Sequence, residues 1–122
     1  MEPYATLSIF LAPGETDVAH VSSVLGLEPD RGPVSVWMLS TEGHVPLRSV
    51  QEHVRWLLDR LVGRYAELAQ LREERYWACV IFHDTEPPDP AEAARVDSEL
   101  EQHDITFDFE LEREDFEDEK ER

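Results

Sequence analysis

The side chains able to do acid, base or metal chemistry in this sequence are five histidines (His20, His44, His53, His83 and His103), one cysteine (Cys79) and 28 carboxylates. No two histidines stand four apart, the spacing that sets two imidazoles on one helix face. Neither a His-Glu-x-x-His nor a Cys-x-x-Cys element occurs, so spacing alone points to no metal and no cofactor. His83 followed by Asp84 is the most site-like pair, because it closes an apolar strand and a neighbouring carboxylate can orient an imidazole. His53, three residues before Trp56, reads as a solvated residue on a helix face. Cys79 lies in the apolar run Tyr76–Phe82, a setting that raises a thiol pKa and opposes a nucleophilic role. It is expected as a buried core thiol, and a single cysteine forms no internal disulfide. No serine has the flanking glycines of a nucleophile elbow, and Gly14, Gly26, Gly32, Gly43 and Gly63 are too scattered to cradle a phosphate. No catalytic residue is assigned.

Charge is the feature furthest from an average domain. The net charge is −17, and −13 of it falls on residues 84–122, where 17 acidic side chains face 4 basic ones. Such a field repels nucleic-acid phosphates and anionic lipid, and it speeds association with cationic partners. The carboxylates Asp84, Glu86, Asp89, Glu92, Asp97, Glu99 and Glu101 follow a strand and run onto one helix, where they form a candidate surface for a basic partner protein. The simpler expectation is a solvated acidic helix. Arginine is placed just as unevenly: Arg48, Arg55, Arg60, Arg64, Arg72 and Arg75 lie on or beside the longest helical pattern. They are expected to pair with Glu52, Asp59, Glu67, Glu73 and Glu74. An alternative is a ligand groove between sheet and helix lined by Trp37, His44, Arg48 and Arg55. Three classes of function are therefore open: a non-enzymatic binding protein of immunity-protein or inhibitor type, a small-ligand sensor or enzyme using that groove, and a structural homodimer.

The elements that must position these residues follow from periodicity. Tyr4–Leu11 is apolar on both alternating sets and reads as an interior strand. Ala12-Pro13-Gly14 ends it. Thr16 or Asp17 caps a short helix carrying Val18, Val21, Val24 and Leu25, which stops at Gly26. After the turn-rich stretch Leu27–Pro33, Val34–Ser40 is a second strand. From Ser49 to Glu74, Val50, Val54, Leu57, Leu58, Leu61, Tyr65, Leu68 and Leu71 form one helical stripe, with a capping box at Ser49 and Glu52. Gly63 inside it is a point for a bend or break. Tyr76–His83 is a third strand, again apolar on both faces. Asp89 caps a helix from Pro90 to His103. Ile105–Leu111 alternates apolar with polar and reads as an edge strand with one wet face.

The order β-α-β, long helix, β-α-β predicts an α+β fold. The expectation is a ferredoxin-like split βαβ arrangement with a four-stranded, mainly antiparallel sheet, the first and third strands central. Residues 1–111 form one domain and 112–122 an acidic tail. The start, Met1-Glu2-Pro3-Tyr4, lacks a basic region followed by an apolar one, and no apolar stretch nears the roughly 18 residues of a membrane span. A cytoplasmic protein is expected.

Four stretches in order, Tyr4-Ala5-Thr6-Leu7-Ser8-Ile9, Leu25-Gly26-Leu27-Glu28-Pro29, Trp37-Met38-Leu39-Ser40 and His53–Leu61, together with Phe107-Asp108-Phe109, resemble the bacterial family catalogued as domain of unknown function 4279. The resemblance covers about residues 4–111. It implies the extent of the domain and transfers no catalytic residue. The segment Asp30-Arg31-Gly32-Pro33 is short where the resemblance implies a loop that is often longer and basic.

Overall fold

The computed structural model describes residues 2–11, 16–30, 36–46 and 48–112. Within them the chain forms β1 (Tyr4–Leu11), α1 (Val18–Leu25), β2 (Trp37–Ser40), α2 (Val50–Leu61), α3 (Tyr65–Glu73), β3 (Tyr76–Asp84), α4 (Pro90–Glu101) and β4 (Thr106–Leu111). The expected strand residues Val34 and Ser35, the Ala12-Pro13-Gly14 stop, residues 31–33 and the tail after Glu112 lie outside the described residues.

The helix boundaries follow their local chemistry. Asp17 accepts from the His20 amide at 3.1 Å to open α1, and Gly26, at φ +71°, closes it in the left-handed conformation that glycine adopts without steric cost. Thr16 instead accepts from the Leu11 amide at 3.0 Å. Ser49 accepts from the Glu52 amide at 3.3 Å, and Asp89 from the Glu92 amide at 3.0 Å ahead of Pro90. The long stripe does not run as one helix: Gly63, at φ +80°, breaks it into α2 and α3.

The sheet order is β2-β1-β3-β4, with β1 antiparallel to both neighbours and β3 parallel to β4. β1 and β3 are central, as their two-sided apolar pattern predicts. The sheet is mixed, however, and not mainly antiparallel. The split arrangement would set β2 beside β3 and β4 beside β1, whereas here each outer strand lies beside its sequence neighbour. Helix α4 is the reason on the β4 side: a helical crossover returns the chain to the same end of the sheet, so β4 enters parallel to β3.

Register fixes the faces. Ala5, Leu7 and Ile9 stand opposite Phe82, Val80 and Ala78, and Leu7 and Ile9 also face Leu39 and Trp37. This set is buried in one cluster with Val21 and Leu25 of α1, Val50, Val54, Leu57 and Leu61 of α2, Leu68 and Leu71 of α3, and Val96 and Leu100 of α4. All four helices therefore cover the same face. Each large side chain buried there contributes about 1.5–3 kcal/mol. The opposite face, with Phe10, Trp77, Cys79, Ile81 and His83, carries no helix among the described residues. Cys79 is accordingly half-buried on the open face and not in the core.

His53 is also corrected. It has no exposed surface. Its Nδ1 lies 2.6 Å from the Thr41 hydroxyl, which accepts the Ala5 amide at 2.8 Å, and its ring tilts onto Phe82. The hydroxyl thus bonds both the Ala5 amide and the imidazole, making His53 a hydrogen-bonded core residue that ties α2 to β1. No helix among the described residues is long and apolar enough to cross a membrane.

Candidate functional site

β3 runs past the start of β4. The parallel register begins at Cys79 opposite Thr106, so Tyr76, Trp77 and Ala78 stand outside the β3–β4 ladder, Ala78 meeting only the Thr106 hydroxyl through its carbonyl. This leaves a notch, which opens into a pocket of about 820 Å³ lined by Arg72, Arg75, Tyr76, Trp77, Ala78, Asp97, Glu101, Asp104, Ile105, Thr106 and Phe107. The C-terminal ends of α3 and α4 both reach it. Trp77 is 55% exposed, one of three large apolar side chains left in water among the described residues. Arg72 pairs with Asp104 at 2.6 Å. Asp97, Glu101 and Arg75 have no ion-pair partner among the described residues.

Two features of the pocket oppose stability. Arg75 and Asp104 hold positive φ, +76° and +60°, which costs a non-glycine residue roughly 1–2 kcal/mol. Helix α4 has no basic residue in its last turn, so Glu101 stands at the negative end of the helix dipole. Like placements cost about 0.3–1 kcal/mol, and a cation bound there relieves them.

The sequence-predicted acidic surface is divided by the fold. Asp84 is only 4% exposed, faces the helix side of β3, and pairs with Arg48 while accepting the Thr85 amide. It cannot meet a partner. Glu92 is engaged internally, accepting from the Ser49 hydroxyl and from the Gln51 amide. Asp89 caps α4. Glu86, Asp97, Glu99 and Glu101 are exposed, but Val96 and Leu100 mark the buried stripe of α4 and place Asp97 with Glu101 on one flank and Glu99 on the other. Only Asp97 and Glu101 converge on the pocket.

The alternative groove is not assembled either. Trp37 has no exposed surface and donates its indole N–H to Ser22 at 3.1 Å. His44 stacks on Trp56, Arg48 is held by Asp84, and Arg55 pairs with Glu52 at 3.3 Å. Of the arginine pairings expected along the long helix, that last one forms. Arg60 instead lies over the Trp56 ring at 4.2 Å, and Arg64 donates to the Leu25 carbonyl at 2.8 Å.

His83 is oriented by carboxylates, though not by Asp84, which points to the other face. Its Nδ1 lies 3.0 Å from Glu112 and 4.0 Å from Glu110, and Tyr4 stacks on its ring at 4.4 Å. Burial first, then Glu112, Glu42 and Glu110, push the Tyr4 phenol above its ordinary range. Burial likewise raises the Cys79 thiol.

The sequence missed Trp77, Arg72, Arg75, Asp104 and Phe107 as one site because the notch comes from the offset between two strands, which no spacing records. The signal that was present is Trp77 itself, a tryptophan on the strand face opposite Ala78 and Val80. The chain was compared with family models, with curated proteins and with solved structures, and none of the three gives a match.

Proposed function

We propose that this chain is a non-enzymatic protein-binding module, of inhibitor or immunity-protein type, that takes a basic segment of a partner into the pocket beside β3 and β4. The observation that carries the reading is an exposed tryptophan, Trp77, sharing one pocket with Asp97 and Glu101, two carboxylates that have no ion-pair partner among the described residues. A lysine or arginine entering there meets the carboxylates and the dipole end of α4, while the neighbouring residues of the segment pack on the indole at the rim. Trp77 serves as the anchor, in keeping with the enrichment of tryptophan among residues that dominate binding energy. Arg75 offers a donor to a backbone carbonyl of the same segment. The net charge of −17 draws such a partner in at long range. A cytoplasmic location and membership of the family catalogued as domain of unknown function 4279 are part of this proposal, supported by the residue patterns alone.

A pocket of about 820 Å³ is also within the range of small-molecule sites, so a cationic amphipathic small ligand is the second reading. Fluorescence anisotropy with labelled peptides separates the two. An arginine- and lysine-rich peptide should bind, a glutamate-rich peptide of equal length should not, and Trp77→Ala or Asp97→Lys with Glu101→Lys should each weaken binding at least about tenfold. Equal binding of both peptides, or binding untouched by these changes, refutes the reading. Absence of peptide binding with retention of an aromatic amine favours the small ligand.

A further inference from the structure

We propose that His83, Glu110 and Glu112 form a binding site for a divalent first-row transition cation, with zinc the best-fitting member of the class. The site is a product of strand register. His83 of β3 stands directly opposite Glu110 of β4, and Glu112, two residues further, projects on the same side. The backbone past β4 is held by the Glu112 amide donating to the Asp84 carbonyl at 2.8 Å. One ligand atom from each of the three side chains lies within 4.8 Å of the others. Bonds of about 2.0–2.2 Å to a common ion need separations near 3.4 Å. A rotation of the Glu110 side chain, which is 60% exposed, closes that gap at little cost.

The imidazole is set for the role. It is 12% exposed and is pinned by the Tyr4 ring stacked on it and by the Thr6 hydroxyl at 3.4 Å from Nε2. Without an ion, Nδ1–H donates to Glu112 at 3.0 Å; with one bound, the Nδ1 lone pair goes to the metal and the Nε2 proton to Thr6. Such a hydrogen bond on the far nitrogen is the usual outer support of a metal-bound histidine. Two carboxylates and a neutral imidazole carry a charge of −2, which one divalent ion cancels. An N,O,O donor set containing imidazole suits zinc, cobalt, nickel, iron or manganese better than calcium or magnesium, and the lack of thiolate disfavours copper(I). The ion's remaining positions face the helix-free side of the sheet, open to water or to a partner's group. The competing arrangement has the Nδ1–H of His83 donating to Glu112 with no ion.

The test uses the full chain stripped with chelator and titrated with zinc chloride by calorimetry, and with cobalt(II) followed by visible absorption. The expected result is one ion per chain, d–d bands of a low-symmetry N,O site, and a zinc-dependent rise in melting temperature. His83→Ala should abolish the bands. Glu110→Gln, an exposed change that leaves packing intact, should weaken binding at least about tenfold. His20→Ala, which removes another histidine–glutamate pair at 2.7 Å, should leave affinity unchanged. No binding by the wild type, affinity unaltered in Glu110→Gln, or an equal loss in His20→Ala would overturn the assignment.

Discussion

Replacing Thr41 with valine is the most informative perturbation of the fold. The Thr41 hydroxyl is fully buried, accepts the Ala5 amide at 2.8 Å, and shares a hydrogen bond with His53 Nδ1 at 2.6 Å. Valine matches its shape and removes both bonds at once. Each buried polar group stripped of this partner costs about 1–3 kcal/mol, so the loss of both should be about 2–6 kcal/mol. That is a large fraction of the roughly 5–15 kcal/mol by which a domain is stable. Thr41→Ser keeps the hydroxyl and gives up one buried methyl, and should cost only about 1 kcal/mol. Urea unfolding followed by circular dichroism reads both, the midpoint moving while the slope stays constant. A Thr41→Val midpoint within about 0.5 kcal/mol of wild type, or a serine variant as damaged as the valine one, would refute the assignment of His53 as a bonded core residue.

Three further outcomes are expected. Gly63→Ala meets no atom within 4 Å, so its cost is the strain of a side chain at φ +80°, about 1–2 kcal/mol; an unchanged urea midpoint would contradict the break between α2 and α3. Cys79 should react with iodoacetamide more slowly than free cysteine at mildly alkaline pH, because burial raises its pKa and leaves less thiolate; a rate at or above that of free cysteine would place it in a different environment. Moderate salt should raise the melting temperature by screening a net charge of −17 over roughly 8–10 Å, and an unchanged or lower value in half-molar sodium chloride would show that self-repulsion is unimportant.

Local chemistry in this chain is legible from sequence. Asp17, Ser49 and Asp89 cap the helices they precede, Gly26 and Gly63 end helices where left-handed backbone is needed, and the two-sided apolar pattern of β1 and β3 marks them as central. Each of these depends on a few neighbouring residues. The neighbours of β2 and β4 depend instead on how the segments after α1 and α4 return to the sheet, and hydrophobic period is silent on that. His53 was misread because its polarity outweighed its position beside Val54 and Leu57 on the buried stripe. Asp84 was misread because adjacency to His83 in sequence means opposite faces in a strand, which gave it to Arg48 and left His83 to Glu110 and Glu112. The pocket was half-visible: Asp97 and Glu101 stood in the acidic set, while Trp77, Asp104 and the arginines reach it through the strand offset.

The central claim is that a basic segment docks against Trp77, and the three tryptophans make it directly observable. Trp37 is buried on Ser22, Trp56 lies under His44 and Arg60, and Trp77 stands exposed, so their indole N–H resonances report three separate places. Titration of the nitrogen-15-labelled chain with an arginine- and lysine-rich peptide should shift the Trp77 indole saturably, together with the amides of Asp97, Glu101 and Asp104, and leave the Trp37 indole in place. Shifts centred on Trp56, His44 and Arg48, or no saturable shift at Trp77, would contradict the account.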